Sequence, residues 1–243
     1  MKIQIAYYIV LLLLGLSCQK KISQGENITI NEVDSLVSEG LHVYASNPKD
    51  AVVYFREAGV GYESLDSYKN AGITFLNVAG MFEEHLSQMD SAEYYAFRSL
   101  ENFLLLKDSL QIANLYKYYG YLLGINGRLE EGESYIDRAI QIYKRSDFDE
   151  GIAVSKYNLA RLAFLKKDYS RSDSLLSEAR TIWVHNNDIS RLFLINLLNL
   201  EIGIETKNRN SVLEITGECD SLLLIGDVPE VSQSRYRELK ARI

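Results

Sequence analysis

The residues best suited to chemistry in this sequence of 243 residues are three histidines and two cysteines. His42, His85 and His185 lie far apart in the chain, and none has a second metal ligand at helical spacing, so each is interpreted as a surface or turn residue. Cys219 lies in a helical segment and is interpreted as a small core residue, not as a nucleophile. The spacing therefore predicts no metal site and no thiol chemistry.

Other motifs that could support catalysis or cofactor binding are incomplete. The segment from Asp147 to Gly151 has acids at alternate positions, as a calcium loop does, but the twelfth position is Asn158 where such a loop needs glutamate. Phosphate-binding glycine loops and nucleophile elbows are absent from the sequence. We therefore expect a protein that is not an enzyme and has no cofactor.

The charge pattern bears on nucleic-acid binding. The formal net charge is −7, and the basic residues are scattered among acidic ones. A protein that binds DNA or RNA needs a concentrated basic surface to meet the phosphates. The sequence therefore predicts no nucleic-acid partner.

The N-terminus has the features of a secretory signal. Lys2 precedes a short apolar run from Ile5 to Leu16, which is too short to span a bilayer comfortably. The run ends at Gly15-Leu16-Ser17-Cys18, and this resembles a bacterial lipoprotein signal, in which cleavage before the cysteine leaves the cysteine to receive lipid chains. The resemblance implies a signal peptide over residues 1–17 and lipid attachment at Cys18. An ordinary signal peptide or an N-terminal anchor is the alternative.

The residues after Cys18 predict a tether. Residues 18–30 contain the segment QKKISQGENIT, which lacks helical periodicity. Because Gln19 and two lysines follow the cysteine, without an acidic cluster, we expect a lipid-anchored protein of the bacterial envelope that faces the periplasm, at the outer membrane. If Cys18 carries lipid, Cys219 has no disulfide partner.

The rest of the chain predicts an all-α fold. Hydrophobic residues make up 47% of the sequence, and prolines occur only at positions 48 and 229. A shift of 40 residues places small residues on small ones and aromatic residues on aromatic ones. Gly120 coincides with Gly80 and Ala160, Gly132 with Ala92 and Ser172, Ala139 with Ser99 and Ala179, and Tyr143 with Phe103 and Trp183. Such a period indicates a solenoid, in place of an irregular bundle or a coiled coil.

The small residues have a structural task in this interpretation. Two antiparallel helices approach closely only where side chains are small, so Gly120 and Gly132 are predicted contact points and Gly127 a turn. This arrangement resembles the tetratricopeptide repeat, in a form longer than the usual period of about 34 residues. The resemblance implies a right-handed α-solenoid of about five antiparallel helix pairs over residues 31–225, then a helix in residues 226–243. The segment from Ser146 to Gly151 is interpreted as an extended link between pairs.

The same resemblance implies a binding surface on the concave side, formed by the first helix of each pair. The implied groove positions are Asn77, Met81, Lys117, Tyr121, Tyr157 and Arg161, with Glu84, Asn114 and Phe164 next to them. Aromatic, amide and guanidinium groups suit extended peptides. The alternative is that Tyr157 and Phe164 pack between repeats and that the cations are merely solvated. The residues needed to bind a carboxylate tail, as some chaperone-binding members do, are not at these positions.

Two functions follow as expectations. The first is a scaffold that binds a partner protein or peptide through the concave face, without catalysis. The second is a periplasmic sensor or regulatory repeat module of a signalling system, since the segments around Met89–Tyr95 and Asn158–Ala160 look like repeats of Bacteroidetes-type regulators.

Overall fold

A computed structural model describes residues 28–243, and this part of the chain consists of eleven α-helices without any β-strand. None of these helices is long and apolar enough to cross a membrane. The helices are α1 (Ile30–Tyr44), α2 (Pro48–Ser64), α3 (Tyr68–Glu84), α4 (Met89–Leu106), α5 (Ser109–Ile125), α6 (Leu129–Arg145), α7 (Asp149–Leu165), α8 (Tyr169–His185), α9 (Ile189–Glu205), α10 (Arg209–Ile225) and α11 (Glu230–Lys240).

The helical array begins with a capped first turn. The side chain of Thr29 accepts a hydrogen bond from the backbone of Glu32, and the Glu32 carboxylate accepts one from the Thr29 backbone N–H at 2.7 Å. Helix α1 therefore starts at Ile30, the last residue of the predicted tether. The predicted signal peptide over residues 1–17, the lipid attachment at Cys18 and most of the tether lie outside the described residues.

The helices pack as five antiparallel pairs in chain order, and α11 packs on α9. Helices α5, α7, α9 and α11 also contact each other in succession. In the described array the backbones of the second helices α6, α8 and α10 stay farther apart, and ion pairs of long side chains join them, Arg171 with Glu133 and Arg180 with Glu218. Helices that lie closer together occupy the inner side of a curved stack. The first helices of the pairs therefore line the concave face of a right-handed α-solenoid, as the sequence predicts.

The connections repeat one turn geometry. Most of the ten connections have three residues, and eight of them contain one left-handed residue, at Asp66, Ser87, Lys107, Gly127, Asp147, Lys167, Asn187 and Lys207. After α7, the N–H of Asp168 donates to the carbonyl of Ala163 at 2.9 Å, which is the hydrogen bond of a Schellman motif. The Asp168 side chain then accepts from the N–H of Arg171 at 3.1 Å. One residue thus ends one helix and caps the next.

This geometry corrects the predicted link between pairs. The segment from Ser146 to Gly151 is not an extended link, because α7 begins at Asp149 and only three residues connect α6 to α7. The connection between pairs is as short as the Asn126–Arg128 turn within a pair. The period of 40 residues arises from two 17-residue helices with two three-residue connections, so the additional residues lie in the helices.

The predicted glycine contacts are present between α5 and α6. A β-carbon added to Gly120 would lie 2.6 Å from the carbonyl oxygen of Gly132, and one added to Gly132 would lie 2.3 Å from the carbonyl oxygen of Gly120. In the next pair the same place holds Ala160 and Ser172, and the Ser172 hydroxyl donates to the Ala160 carbonyl at 2.8 Å. The small residues therefore let the two backbones touch.

Helix α3 departs from the predicted register by one residue. Four residues, His85–Gln88, connect α3 to α4, one more than in the later pairs. Counted from the helix start, Ala79 is equivalent to Gly120 and Ala160, and Gly80 is equivalent to Tyr121. The burial pattern agrees with this count, because Ala79 is fully buried whereas a β-carbon on Gly80 would meet open space. The position of Gly80 therefore faces the groove and makes no helix contact.

Candidate partner-binding surface

The thirteenth residue of each first helix from α3 to α9 lies on the concave side. We call these four residues the groove column. They are Gly80, Tyr121, Arg161 and Glu201. One helical turn earlier stands a second row, Leu76, Lys117, Tyr157 and Leu197. The two rows run along the concave face across four of the five pairs.

Tyr121 and Arg161 are in direct contact in the groove column. The guanidinium carbon of Arg161 lies 4.6 Å from the centre of the Tyr121 ring, which is a cation–π geometry. The Tyr121 ring is 9% exposed, and burial raises the pKa of its hydroxyl, an effect that Arg161 opposes. Arg161 is exposed and forms no ion pair with any described residue. Its donors are therefore oriented by the ring and available to an anion.

Lys117 is a half-buried cation beside this contact. Its ammonium lies 3.4 Å from the Asn114 side-chain oxygen and 5.8 Å from the centre of the Tyr143 ring. Burial lowers the pKa of Lys117, and Arg191 lowers it further while Glu150 opposes the shift. The Lys117 ammonium therefore has little contact with solvent, and no carboxylate of the described chain pairs with it.

Tyr157 has a packing role. Its ring centre lies 6.0 Å from that of Trp183, which is fully buried. The indole N–H of Trp183 donates to Glu150 at 2.9 Å, and the guanidinium of Arg191 lies 5.6 Å from the centre of the Trp183 ring. Burial raises the pKa of the Tyr157 hydroxyl. The contact with Trp183 lies within the pair of α7 and α8, and Tyr157 also packs on the cluster that includes Ile195 and Leu198 of α9. The alternative interpretation, packing between repeats, therefore describes part of its ring, and one edge lines the groove.

A first pocket lies among α1, α2, α3 and α5, with a cavity volume of about 460 Å³. Its polar residues are Asn77, Glu83 and Glu84, and Gly80 lies among them. The Tyr118 hydroxyl donates to Glu83 at 2.7 Å, which fixes that carboxylate at the wall. Burial, together with this hydrogen bond, raises the pKa of Tyr118. The apolar walls are Leu41, Tyr44, Phe55, Leu76, Met81 and Tyr118.

A second pocket lies among α5, α7, α9 and α11, with a cavity volume of about 560 Å³. Its charged residues are Arg161, Glu201 and Arg235. Arg235 pairs with Glu201 at 3.0 Å, so Arg161 is the cation without a close carboxylate in this pocket. The walls are mainly apolar and include Tyr157, Phe164, Leu194, Leu198 and Val231. The two pockets lie on the same concave face and differ in charge.

The six predicted groove residues are placed unequally. Asn77, Lys117, Tyr121 and Arg161 lie on the concave side, and Asn77 is exposed. Met81 is 4% exposed and lies in the core, in the place of Leu122 and Leu162, although its edge lines the first pocket. The register predicted for α3 was therefore wrong by one residue.

Four groove residues were missing from the sequence prediction. They are Gly80, Glu83, Tyr118 and Glu201. A shift of 41 residues between α3 and α5 would have placed Gly80 on Tyr121 and Ala79 on Gly120. Ala79 is a small residue next to Gly80 and could have indicated this alternative register, which its burial supports.

The candidates for chemistry do not come together. His42, His85 and His185 are exposed, as expected, and the described residues contain no cluster that could hold a metal ion. Cys219 is fully buried, and burial together with Asp220 raises the pKa of its thiol to about 12. It occupies the small core position that the repeat pattern predicts.

These features define the class of protein: an all-α, tetratricopeptide-repeat-like solenoid with a two-pocket concave face. Residues 111–183 match the tetratricopeptide repeat family. No protein of curated function matches the sequence significantly.

Solved structures support the same fold. The chain is similar to the nearly identical TPR-like repeats of a Podosopora anserina protein described as a kinesin light chain, with a TM-score of 0.63 and 11% identity over 79% of this chain and 95% of that one. It is also similar to BtubC (BKLC) from P. vanneervenii, with a TM-score of 0.57 and 14% identity over 82% of this chain and 92% of that one. At these identities the comparisons establish the fold alone.

Proposed function

We propose that this protein is a non-enzymatic scaffold that binds an extended peptide segment of a partner protein along its concave face. The observation that carries the proposal is the groove column, in which Arg161 lies over the Tyr121 ring with its donors available. The first pocket includes Gly80 and the second includes Arg161 and Glu201, so a bound segment would run along the column and place side chains in both pockets. Repeat arrays with this architecture generally bind protein partners, which agrees with the match over residues 111–183.

The proposal includes attachment to the bacterial envelope by lipid at Cys18, with the array facing the periplasm. The apolar run from Ile5 to Leu16, followed by Ser17-Cys18, supports it. Each methylene of an acyl chain contributes about 0.8 kcal/mol when buried, so several chains give stable attachment. Such a tether would concentrate the groove near partners in the same membrane.

Site-specific photo-cross-linking in cells tests the proposed surface. A photoreactive phenylalanine analogue is placed at Asn77, which is exposed in the first pocket, and as a matched control at Ser174, which is exposed on the outer helix α8. We expect a defined protein adduct at Asn77 that is absent at Ser174. Equal labelling from both positions, or labelling from Ser174 alone, would place the partner on another surface.

A further inference from the structure

The first pocket combines apolar walls with an acidic rim. Among the described residues that line it, only Glu83 and Glu84 are charged. Neither carboxylate forms an ion pair with any residue in the described chain, and Glu83 is held by the hydroxyl of Tyr118. Several glutamates elsewhere in the array do have such partners: Glu63 pairs with Arg98, Glu93 with Arg128, Glu133 with Arg171 and Glu201 with Arg235.

The pocket is open where a side chain would otherwise fill it. The groove column holds a tyrosine, an arginine and a glutamate in the later helices, but Gly80 in α3. A β-carbon added to Gly80 would have no heavy atom within 4 Å. This glycine is therefore not required by packing, and its effect is to leave the cavity accessible from the groove.

We propose that the first pocket takes a lysine or arginine side chain of the bound peptide. This inference rests on the proposed function. Long basic side chains place their methylene groups on apolar surface while the charged end remains in a polar setting. Here the stem would lie on Leu76 and Phe55, and the cation would meet Glu83 and Glu84 at the rim. The rings of Tyr44 and Tyr118 in the walls also favour a cation.

The second pocket gives the peptide a direction. Among the described residues that line it, the charge without an ion-pair partner is the cation Arg161, so a basic side chain is disfavoured there. A segment with its basic residue in the first pocket places apolar or acidic residues in the second. Charge complementarity therefore selects both the ligand chemistry and its orientation along the groove.

A peptide library of randomised, acetylated decapeptides tests this inference, with the full-length chain in detergent as the binding protein. We expect the bound peptides to be enriched in lysine or arginine at one position. The double variant Glu83→Gln/Glu84→Gln should remove that enrichment and weaken the selected peptides about tenfold or more, as expected for lost charge-assisted hydrogen bonds. Gly80→Leu should block the same peptides without unfolding the array. Glu101→Gln, on an exposed site of the outer helix α4, is the matched control and should bind as the unmodified chain does.

A second measurement observes the pocket directly. The chain has three methionines, and Met81 is the one that lines the first pocket. With ¹³C-labelled methionine methyl groups, the resonance assigned through Met81→Leu should shift on addition of Nα-acetyl-lysine methylamide. The corresponding glutamate derivative should leave it unchanged, and Gly80→Leu should abolish the shift.

The outcomes separate this inference from the proposed function. Peptides that bind without a basic preference, yet depend on Arg161, would overturn the inference and leave the scaffold function in place. If no peptide of the library is selected, both this inference and the proposed scaffold function are overturned. Self-association that Gly80→Leu abolishes would assign the pocket to a second copy of this chain, and would overturn the peptide assignment.

Discussion

The guanidinium of Arg161 lies over the ring of Tyr121, although the two residues are one full repeat apart in the sequence. The contact joins the first helices of adjacent pairs on the concave face, and it connects an exposed cation to a buried ring. We therefore expect Tyr121 to contribute mainly to stability and Arg161 mainly to partner binding.

The first prediction separates those parts. Arg161→Ala should change the free energy of unfolding by about 0.5 kcal/mol or less, as exposed substitutions usually do. Tyr121→Ala should cost about 3 kcal/mol, because the ring is part of the core. Chemical denaturation measures both. Arg138, whose guanidinium lies 5.1 Å from the Tyr135 ring centre on α6, offers a matched contact on an outer helix. Partner binding should fall with Arg161→Ala and persist with Arg138→Ala; the reverse order would remove the groove column as the site.

The second prediction compares two glycines that the 40-residue shift superimposes. Gly120→Ala should destabilise the array by about 1–3 kcal/mol, because its β-carbon would meet a backbone oxygen. Gly80→Ala should stabilise it by up to about 1 kcal/mol, because alanine is the better helix former and the site is open. Thermal melts of the two variants should move in opposite directions. A loss of stability in both would contradict the corrected register of α3.

The third prediction concerns pH and the last helix. Asp220 accepts hydrogen bonds from the Tyr236 hydroxyl at 2.8 Å and the Lys240 ammonium at 3.0 Å, and these hold the pKa of Asp220 below its ordinary value. A carboxyl with a lowered folded-state pKa stabilises the fold above its unfolded-state pKa and loses that contribution as the pH falls through the folded-state value.

Asp220→Asn should therefore melt earlier than the unmodified chain at neutral pH, and the difference should shrink as the pH falls below about 4 and vanish below the lowered folded-state pKa of Asp220. Melting temperatures measured against pH provide the test. Asp173→Asn, on an exposed position of α8, is the control and should show no such pattern. A difference that stays constant with pH would mean that Asp220 contributes by packing and not by charge.

The fourth prediction concerns attachment. Cys18→Ala should move the protein from the membrane fraction to the soluble fraction of the cell, because acyl chains have no other site in the proposed signal. Fractionation followed by detection of the array gives the result. An unchanged distribution would favour an ordinary signal peptide or an N-terminal anchor.

The fifth prediction uses the buried thiol. In a Cys18→Ser variant, Cys219 is the only cysteine, and it is fully buried with a pKa raised to about 12. Because the thiolate is the reactive form, a disulfide reagent at pH 8 should react far more slowly with the folded chain than with the chain in concentrated guanidinium chloride. Equal rates in the two states would show that α10 opens freely.

Much of the fold was readable because small residues recur where backbones touch. Gly120, Gly132 and Cys219 all occupy the buried positions that a 40-residue repeat predicts. The extra residue between α3 and α4 escaped detection, since a connection can lengthen without any change in composition. The extended link after Ser146 was wrong for a related reason: an acidic, glycine-containing segment can begin a helix as readily as it can form a loop.

The site was less predictable than the fold. Position in the repeat identified Lys117 and Arg161 as groove residues, but it could not show that the Tyr121 ring is mostly buried or that Tyr157 packs on Trp183. Those facts depend on how closely helices pack within a repeat and between neighbouring repeats. Of the acidic rim, the sequence indicated Glu84 but not Glu83, because Glu83 and Tyr118 lie on different helices and meet only in three dimensions.

The groove column has a consequence for redesign. Gly80, Arg161 and Glu201 lie outside the array's fully buried core, and each belongs to a different repeat. Side chains at these three places can therefore be exchanged with little repacking of the interior. The helical array then serves as a constant framework on which three positions determine specificity, and a new combination of residues there would give the same scaffold a different partner.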